Sequence, residues 1–292
     1  MLYLLKSLCL TSVVSVVVFS GCDLFSAEDQ PRPAQGHDTS KRWLSLAPSL
    51  TEWVYLLGAE RSLVARSEHC DQPPEAKHKP SAGSLFPPDL ELILSFKPSD
   101  VLMIDGHPLF KKQLERLGVN VHTLQPKSLQ DLWRVVTELG ELLGTQRAAQ
   151  SWIQDAQRQL SAHLADLKPI PKPAPKVLIE VWPKPLSVAG AESFMGDLVR
   201  VVGGAPVPSG RGAWPQLPIE DLVQLNPDVI IVSSPQRVRE LLSPELSTAW
   251  RSLSAIKHRR VYAREGRLER PDPELITELI WLATLLRAPP HK

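Results

Sequence analysis

The chain has 292 residues, with 33 Lys and Arg against 32 Asp and Glu for a formal net charge of +1, and 43% of its residues are hydrophobic. Near-neutral charge without a basic run excludes the electrostatic footprint of a nucleic-acid-binding protein. The apolar share supports a folded core, and the length suits two domains of ordinary size.

The first stretch, MLYLLKSLCLTSVVSVVVFSGC, carries one lysine, an apolar run broken by Ser and Thr, and small residues before Cys22. That pattern predicts a secretory signal over residues 1–21 rather than a spanning helix, for which the run is short and interrupted. Its removal takes away Lys6 and leaves a net charge of zero. Residues 22–41 are polar and proline-containing, a flexible tether with a reach of roughly 25 Å root-mean-square. Cys9 leaves with the signal and Cys22 stands at its end, so Cys70 alone remains in the body and no internal disulfide is expected.

From Arg42 onward, short apolar runs alternate with helical patterns. WLSLA (43–47), LVAR (63–66), DVLMI (100–104) and VHTL (121–124) read as strands, with helices at LTEWVYLLG (50–58), DLELILSF (89–96) and PLFKKQLERLG (108–118). The order strand, helix, strand implies a parallel sheet covered by helices. Leu132, Val136, Leu139 and Leu143, and then Ala149, Ile153, Ala156, Leu160, Leu164 and Leu167, keep helical spacing on either side of a break at Gly144-Thr145. The second of these helices, about 146–167, is roughly 33 Å long, and KPIPKPAPK ends it because proline cannot continue a helix. Strands at KVLIEV (176–181), VIIV (229–232) and RVYA (260–263), with helices at 193–202, 219–225, 236–242 and 273–286, repeat the plan. The expected fold is α/β: two Rossmann-like lobes, 42–127 and 176–292, joined by one long helix within a helical linker at 128–175, with a ligand cleft between them.

The second lobe also repeats a phrase of the first. FPPDLELILSFKPSDVLMI (86–104) and WPQLPIEDLVQLNPDVIIV (214–232) align with Pro98 on Pro227, Leu90 on Ile219 and Glu91 on Glu220. Each glutamate opens a helix, where a carboxylate gains about 0.3–1 kcal/mol from the helix dipole. That interaction by itself accounts for both.

WLSLAPSLTEWVYLLGA, CDQPPEA, DLELILSFKPSDVLM, WPQLPIEDLVQLNPDVIIV and RRVYAREGRLERPDPEL, in this order over about 42–287, resemble the class III substrate-binding proteins of bacterial ABC importers. GAESF (190–194) and AWPQLPIED (213–221) are most similar to the vitamin B12-binding members. FSGC likewise resembles a bacterial lipobox with Phe19 in place of the usual leucine. That likeness implies lipidation of Cys22 and an inner-membrane lipoprotein facing the periplasm. The family resemblance implies a monomer that binds cobalamin or a related corrinoid and docks on a permease dimer with its ATPase subunits. Haem or a ferric siderophore is the alternative cargo, and a membrane-anchored enzyme or sensor domain the alternative class.

In open parallel sheets ligands bind beyond the carboxyl ends of the strands. Those ends are Pro48-Ser49-Leu50, Glu68-His69, Asp105-Gly106-His107, Trp182, Ser233-Ser234 and Glu265. Trp182 and Trp214, read as loop residues outside any helical stripe, are rigid aromatics suited to burying a broad apolar disc. Trp53, Trp133, Trp152 and Trp281 lie in helical patterns and are expected to pack. The resemblance places Arg270 in the cleft, Phe86 on the first lobe's wall, and Glu91 and Glu220 against arginines of the two permease subunits. His69 and Cys70 are possible donors to a cargo metal, but no other cluster has ligand spacing. No resident metal, cofactor or catalytic constellation is expected: GxSxG, P-loop, HExxH and CxxC are all missing from the sequence.

Overall fold

The computed structural model describes residues 41–264 and 267–289. The predicted signal segment, Cys22, the tether up to residue 40 and Glu265 lie outside the described residues.

The first lobe runs β1 (Trp43–Ser45), α1 (Pro48–Leu56), β2 (Leu63–Arg66), α2 (Leu90–Ser95), β3 (Asp100–Met103), α3 (Pro108–Arg116) and β4 (Asn120–Thr123). Its four strands are all parallel, in the order β2-β1-β3-β4. Helices α4 (Leu129–Leu143) and α5 (Gln146–Asp166) follow. Gly144 closes α4 with φ 71°, a left-handed cap that glycine adopts without strain. Thr145 occupies the predicted N-cap of α5, but its side chain makes no capping bond and its hydroxyl is buried without a partner.

The second lobe contains β5 (Lys176–Pro183), β6 (Leu186–Ala189), α6 (Phe194–Val201), β7 (Ala205–Pro206), α7 (Ile219–Leu225), β8 (Val229–Val232), α8 (Pro235–Leu241), α9 (Thr248–Arg251), α10 (Ser254–Lys257), β9 (Val261–Ala263) and α11 (Leu275–Arg287). Strand order is β6-β5-β8-β9, with β7 beside β5; β6 is antiparallel to β5 and the remaining pairs are parallel. The β5–β6 hairpin departs from the sequence reading, which took the segment after Val181 as loop. Trp182 is accordingly a strand residue, paired with Ser187 just past an irregularity in register.

The doubled phrase is obeyed position for position. Helix α2 begins at Leu90 and α7 at Ile219, and β3 and β8 cover the aligned spans 100–103 and 229–232. The turns match too: Lys97 (φ 49°) and Asn226 (φ 44°) are equivalent, and both are left-handed.

One core continues through both lobes. Trp43, Leu50, Trp53 and Leu102 of the first lobe belong to the same buried cluster as Leu132, Val136 and Leu139 of α4, Ala149, Ala156 and Leu160 of α5, and Val177, Ile231, Leu279 and Leu286 of the second lobe. Trp53 meets Trp152 edge-on at 4.5 Å between ring centroids, and Trp133 lies 5.8 Å from Trp152. The opposite faces of the two sheets have separate cores, Leu44, Ile93 and Leu114 in one lobe and Leu178, Leu222 and Leu253 in the other. This shared core packs the two lobes together through α4 and α5.

Candidate functional site

The second lobe's wall is built on β6. Its inner edge pairs with β5, and its outer edge carries the 213–217 segment through Val188 N to Pro215 O (3.1 Å), Gly190 N to Ala213 O (2.9 Å) and Leu217 N to Leu186 O (2.9 Å). Ser187 bridges both neighbours, facing Trp182 on one side and Gln216 on the other. The pairing puts Gln216 on the Trp182 side, two strand spacings or roughly 10 Å across, and Trp214 lies two residues before it in a bend. The two indoles are 62% and 57% exposed. Rings of that size left in solvent on the two neighbours of β6 make a prepared apolar platform. Trp182 is held by its Nε1, which donates to Lys184 O at 3.0 Å.

In the first lobe, Phe86 (56% exposed) packs its ring on His107, 4.4 Å between centroids, at the carboxyl end of β3. Ser84 Oγ fixes the loop by accepting from Phe86 N at 3.1 Å. His107 Nε2 is buried with no hydrogen-bond partner. Leu109, in the first turn of α3, is exposed and extends this rim.

The carboxyl-terminal edges of the two sheets meet where α1 touches the segment after β9. Trp53 Nε1 donates to Pro271 O at 2.7 Å, joining one lobe to the other. Beside this bond lies a cavity of about 590 Å³ lined by Glu52, Tyr55, Leu56, Gln72 and Pro73 from the first lobe and Arg267, Pro273 and Glu274 from the second. Burial, followed by the negative charge of Asp272, pushes the Glu52 carboxyl up to about 7, with Arg270 and Arg267 opposing. Burial likewise raises Asp272 to about 6 against a backbone bond from Glu274 and the same two arginines. Glu269 is also raised, mainly by burial.

The remaining predicted residues have mixed placements. Arg270 is exposed and near enough to Glu52, Glu269 and Asp272 to lower all three. Ser49 is buried inside α1, which leaves only a small surface for a ligand. His69 projects into solvent beside Glu68, with a 3.5 Å separation, and Cys70 is buried 3.1 Å from Ser67 Oγ. The two therefore do not form a common donor set. Glu91 and Glu220 are exposed in the first turns of α2 and α7, with no ion-pair or hydrogen-bond partner among the described residues. Their neighbours are engaged: Asp89 caps α2 and Asp221 pairs with Arg211.

Sequence reasoning missed Leu109 and Glu52. Leu109 falls off the Phe110–Leu114 stripe of α3, so a strict count of helical faces flags it as an exposed apolar residue. Glu52 gave no signal of its own, because its neighbour across the seam lies 220 positions away at Asp272.

A family model described as periplasmic binding protein matches residues 44–267, which takes in the first lobe, the helical hairpin and the second lobe as far as the segment after β9. The chain belongs to that family, and its fold is the two-lobed one of class III. It is a substrate-binding protein of the ABC-importer kind, from a family whose work is solute capture. It is 28% identical over 244 residues to the ABC transporter substrate-binding lipoprotein YvrC of Bacillus subtilis, covering 81% of this chain and 74% of that one. It is also 28% identical over 213 residues to the vitamin B12-binding protein of Vibrio vulnificus, covering 72% and 75%. Among solved structures, the periplasmic haem-binding protein BhuT with two haems aligns with a TM-score of 0.74 at 24% identity, over 85% of this chain and 98% of that one. This last similarity is one of fold.

Proposed function

We propose that the chain captures cobalamin or a related corrinoid between its lobes and delivers it to a permease dimer, held at the periplasmic face of the inner membrane through a lipidated Cys22. The observation that carries this reading is the pair of exposed indoles, Trp182 on β5 and Trp214 on the segment along the outer edge of β6. A corrin is a broad disc with polar amides at its rim. Indole faces bury such a disc at small entropic cost, while Ser, Gln and Arg groups around them meet the amides.

Charge favours the same cargo. Near the seam stand Glu52, Asp71, Glu269, Asp272 and Glu274 against Arg267 and Arg270. Two other arginines of this lobe are spoken for: Arg237 makes paired bonds of 2.7 and 2.9 Å to buried Glu180, and Arg264 bonds Glu278 at 3.0 Å. Even with Glu52 and Asp272 protonated, Asp71, Glu269 and Glu274 outnumber the two arginines, which disfavours anionic siderophores and haem propionates. Haem is the competing cargo, and the unpartnered His107 Nε2 is the observation in its favour, since a neutral imidazole nitrogen ligates iron. Glu91 and Glu220, one unpaired carboxylate per lobe, would register the protein on a two-fold permease.

The test is calorimetric titration of cyanocobalamin into the wild type, Trp182→Ala and Trp214→Ala. Loss of an anchoring aromatic costs about 2 kcal/mol, or roughly 30-fold in Kd. Undiminished affinity in both variants removes the platform from the account.

A further inference from the structure

The seam between the lobes places two dipeptides against each other. Glu52-Trp53 of α1 faces Pro271-Asp272 of the segment before α11. One member of each forms the tie, Trp53 Nε1 to Pro271 O at 2.7 Å. The other members are carboxyls from opposite lobes, close enough that the charge of Asp272 acts on Glu52. Glu52 Oε1 is buried and makes no hydrogen bond, so the ionised form is favoured by the charges of Arg270 and Arg267 and by no bond at this oxygen. Asp272, 2% exposed, has one oxygen occupied by Glu274 N at 2.9 Å.

The charged and titratable groups around this pair are few. Arg267 and Arg270, on the same segment as Asp272, lower both acids. Asp71, in the loop after β2, raises Glu52, and Glu274, at the start of α11, raises Asp272. Tyr55, one turn along α1, lines the cavity but stays neutral at ordinary pH, its hydroxyl raised by burial and by Glu60 and Glu75.

We infer that the seam is a proton-sensitive latch: with Glu52 and Asp272 protonated the lobes close around the Trp53–Pro271 tie, and ionisation of the two carboxyls drives them apart at the adjoining cavity. The direction follows from linkage. Both acids bind protons more tightly in the closed seam than in water, so the closed form is the proton-rich one. Its advantage is complete below their ordinary carboxylic range, at about pH 4. It fades as pH rises through the seam values, about 6 for Asp272 and about 7 for Glu52. The latch therefore works across the range a periplasm in open exchange with its surroundings experiences. It lies beside the proposed cargo cleft, so opening it alters the separation of the two walls.

The test needs no cargo, so its outcome is independent of what the cleft carries. Spin labels at Lys112→Cys on α3 and Arg239→Cys on α8, both exposed positions, report the distance between lobes by pulsed electron resonance on the full chain. The distance distribution should shift to longer values between about pH 4 and about pH 8. Glu52→Gln with Asp272→Asn should hold the short distance across the range, and Glu52→Gln alone should leave a smaller shift with its midpoint moved toward Asp272's. A folded double variant, checked by circular dichroism and melting temperature, that keeps the wild-type shift overturns the inference. A wild-type distance that does not change with pH also overturns it.

Discussion

Gly190 N donates to Ala213 O at 2.9 Å, and a Cβ placed on Gly190 would lie 2.1 Å from Gly212 O. The end of β6 and the segment carrying Trp214 thus approach more closely than any side chain permits. Gly190→Ala should displace the 212–215 segment and with it Trp214, lowering cyanocobalamin affinity by at least about tenfold, the scale of one disturbed anchor. Circular dichroism should remain native, because the displaced segment lies at a sheet edge. Calorimetry beside far-ultraviolet dichroism checks both halves of the prediction.

Trp53 joins three bodies: α1, the hairpin helix α5 through Trp152, and the second lobe through Pro271. Trp53→Phe keeps an aromatic ring but leaves Pro271 O without its donor. The expected loss is about 2 kcal/mol, the cost of one unsatisfied, partly buried acceptor plus some packing. Denaturant melts with unchanged slope would report it as a pure change in stability.

The equivalent left-handed turns should respond oppositely to glycine. Lys97 is exposed and its side chain makes no recorded bond, so Lys97→Gly relieves backbone strain and should stabilise by about 0.5–1 kcal/mol. Asn226 earns its position by accepting from Ser254 N at 2.8 Å. Asn226→Gly should therefore cost about 1 kcal/mol. Thermal denaturation of both variants decides whether the two lobes use this turn differently.

How far the sequence could be read depended on the range of each interaction. Local signals were strong: short apolar runs bounded by turn signals found the parallel strands except β7, helical spacing found the long helices, and Gly144 marked the hairpin within a residue. The 129-residue echo placed α7 and β8 from α2 and β3. Strand β6 was missed because WPKPL precedes it and prolines argue against a strand. Pro183 only closes β5, however, and Pro185 lies in the turn before β6, so neither removes a needed ladder donor. The candidate site's exposed aromatics, Trp182, Trp214 and Phe86, could be picked out where one residue type sufficed, whereas contacts between two distant residues could not. Ser49 and His69 mark another limit of sequence reading. A strand-end position marks a neighbourhood, but whether a side chain points into the core or into water is decided by the packing of α1 and the loop after β2.

Matched charges on matched helices should act together. Glu91→Lys with Glu220→Lys should abolish ATP-driven uptake into vesicles holding the cognate permease while leaving the Kd for cargo unchanged. Single reversals should each give an intermediate rate, because a two-fold partner meets one lobe normally. Unimpaired uptake by the double variant would remove the docking role from both residues.

The central claim is the cargo, and tryptophan emission of the purified protein tests it most directly, since Trp182 and Trp214 stand exposed where the ligand would bind. Cyanocobalamin, cobinamide, haem and ferric siderophores are titrated in turn. The account predicts saturable quenching by both corrinoids at a stoichiometry of one, with weak or no response to siderophores. Saturation by haem with no response to either corrinoid would contradict it.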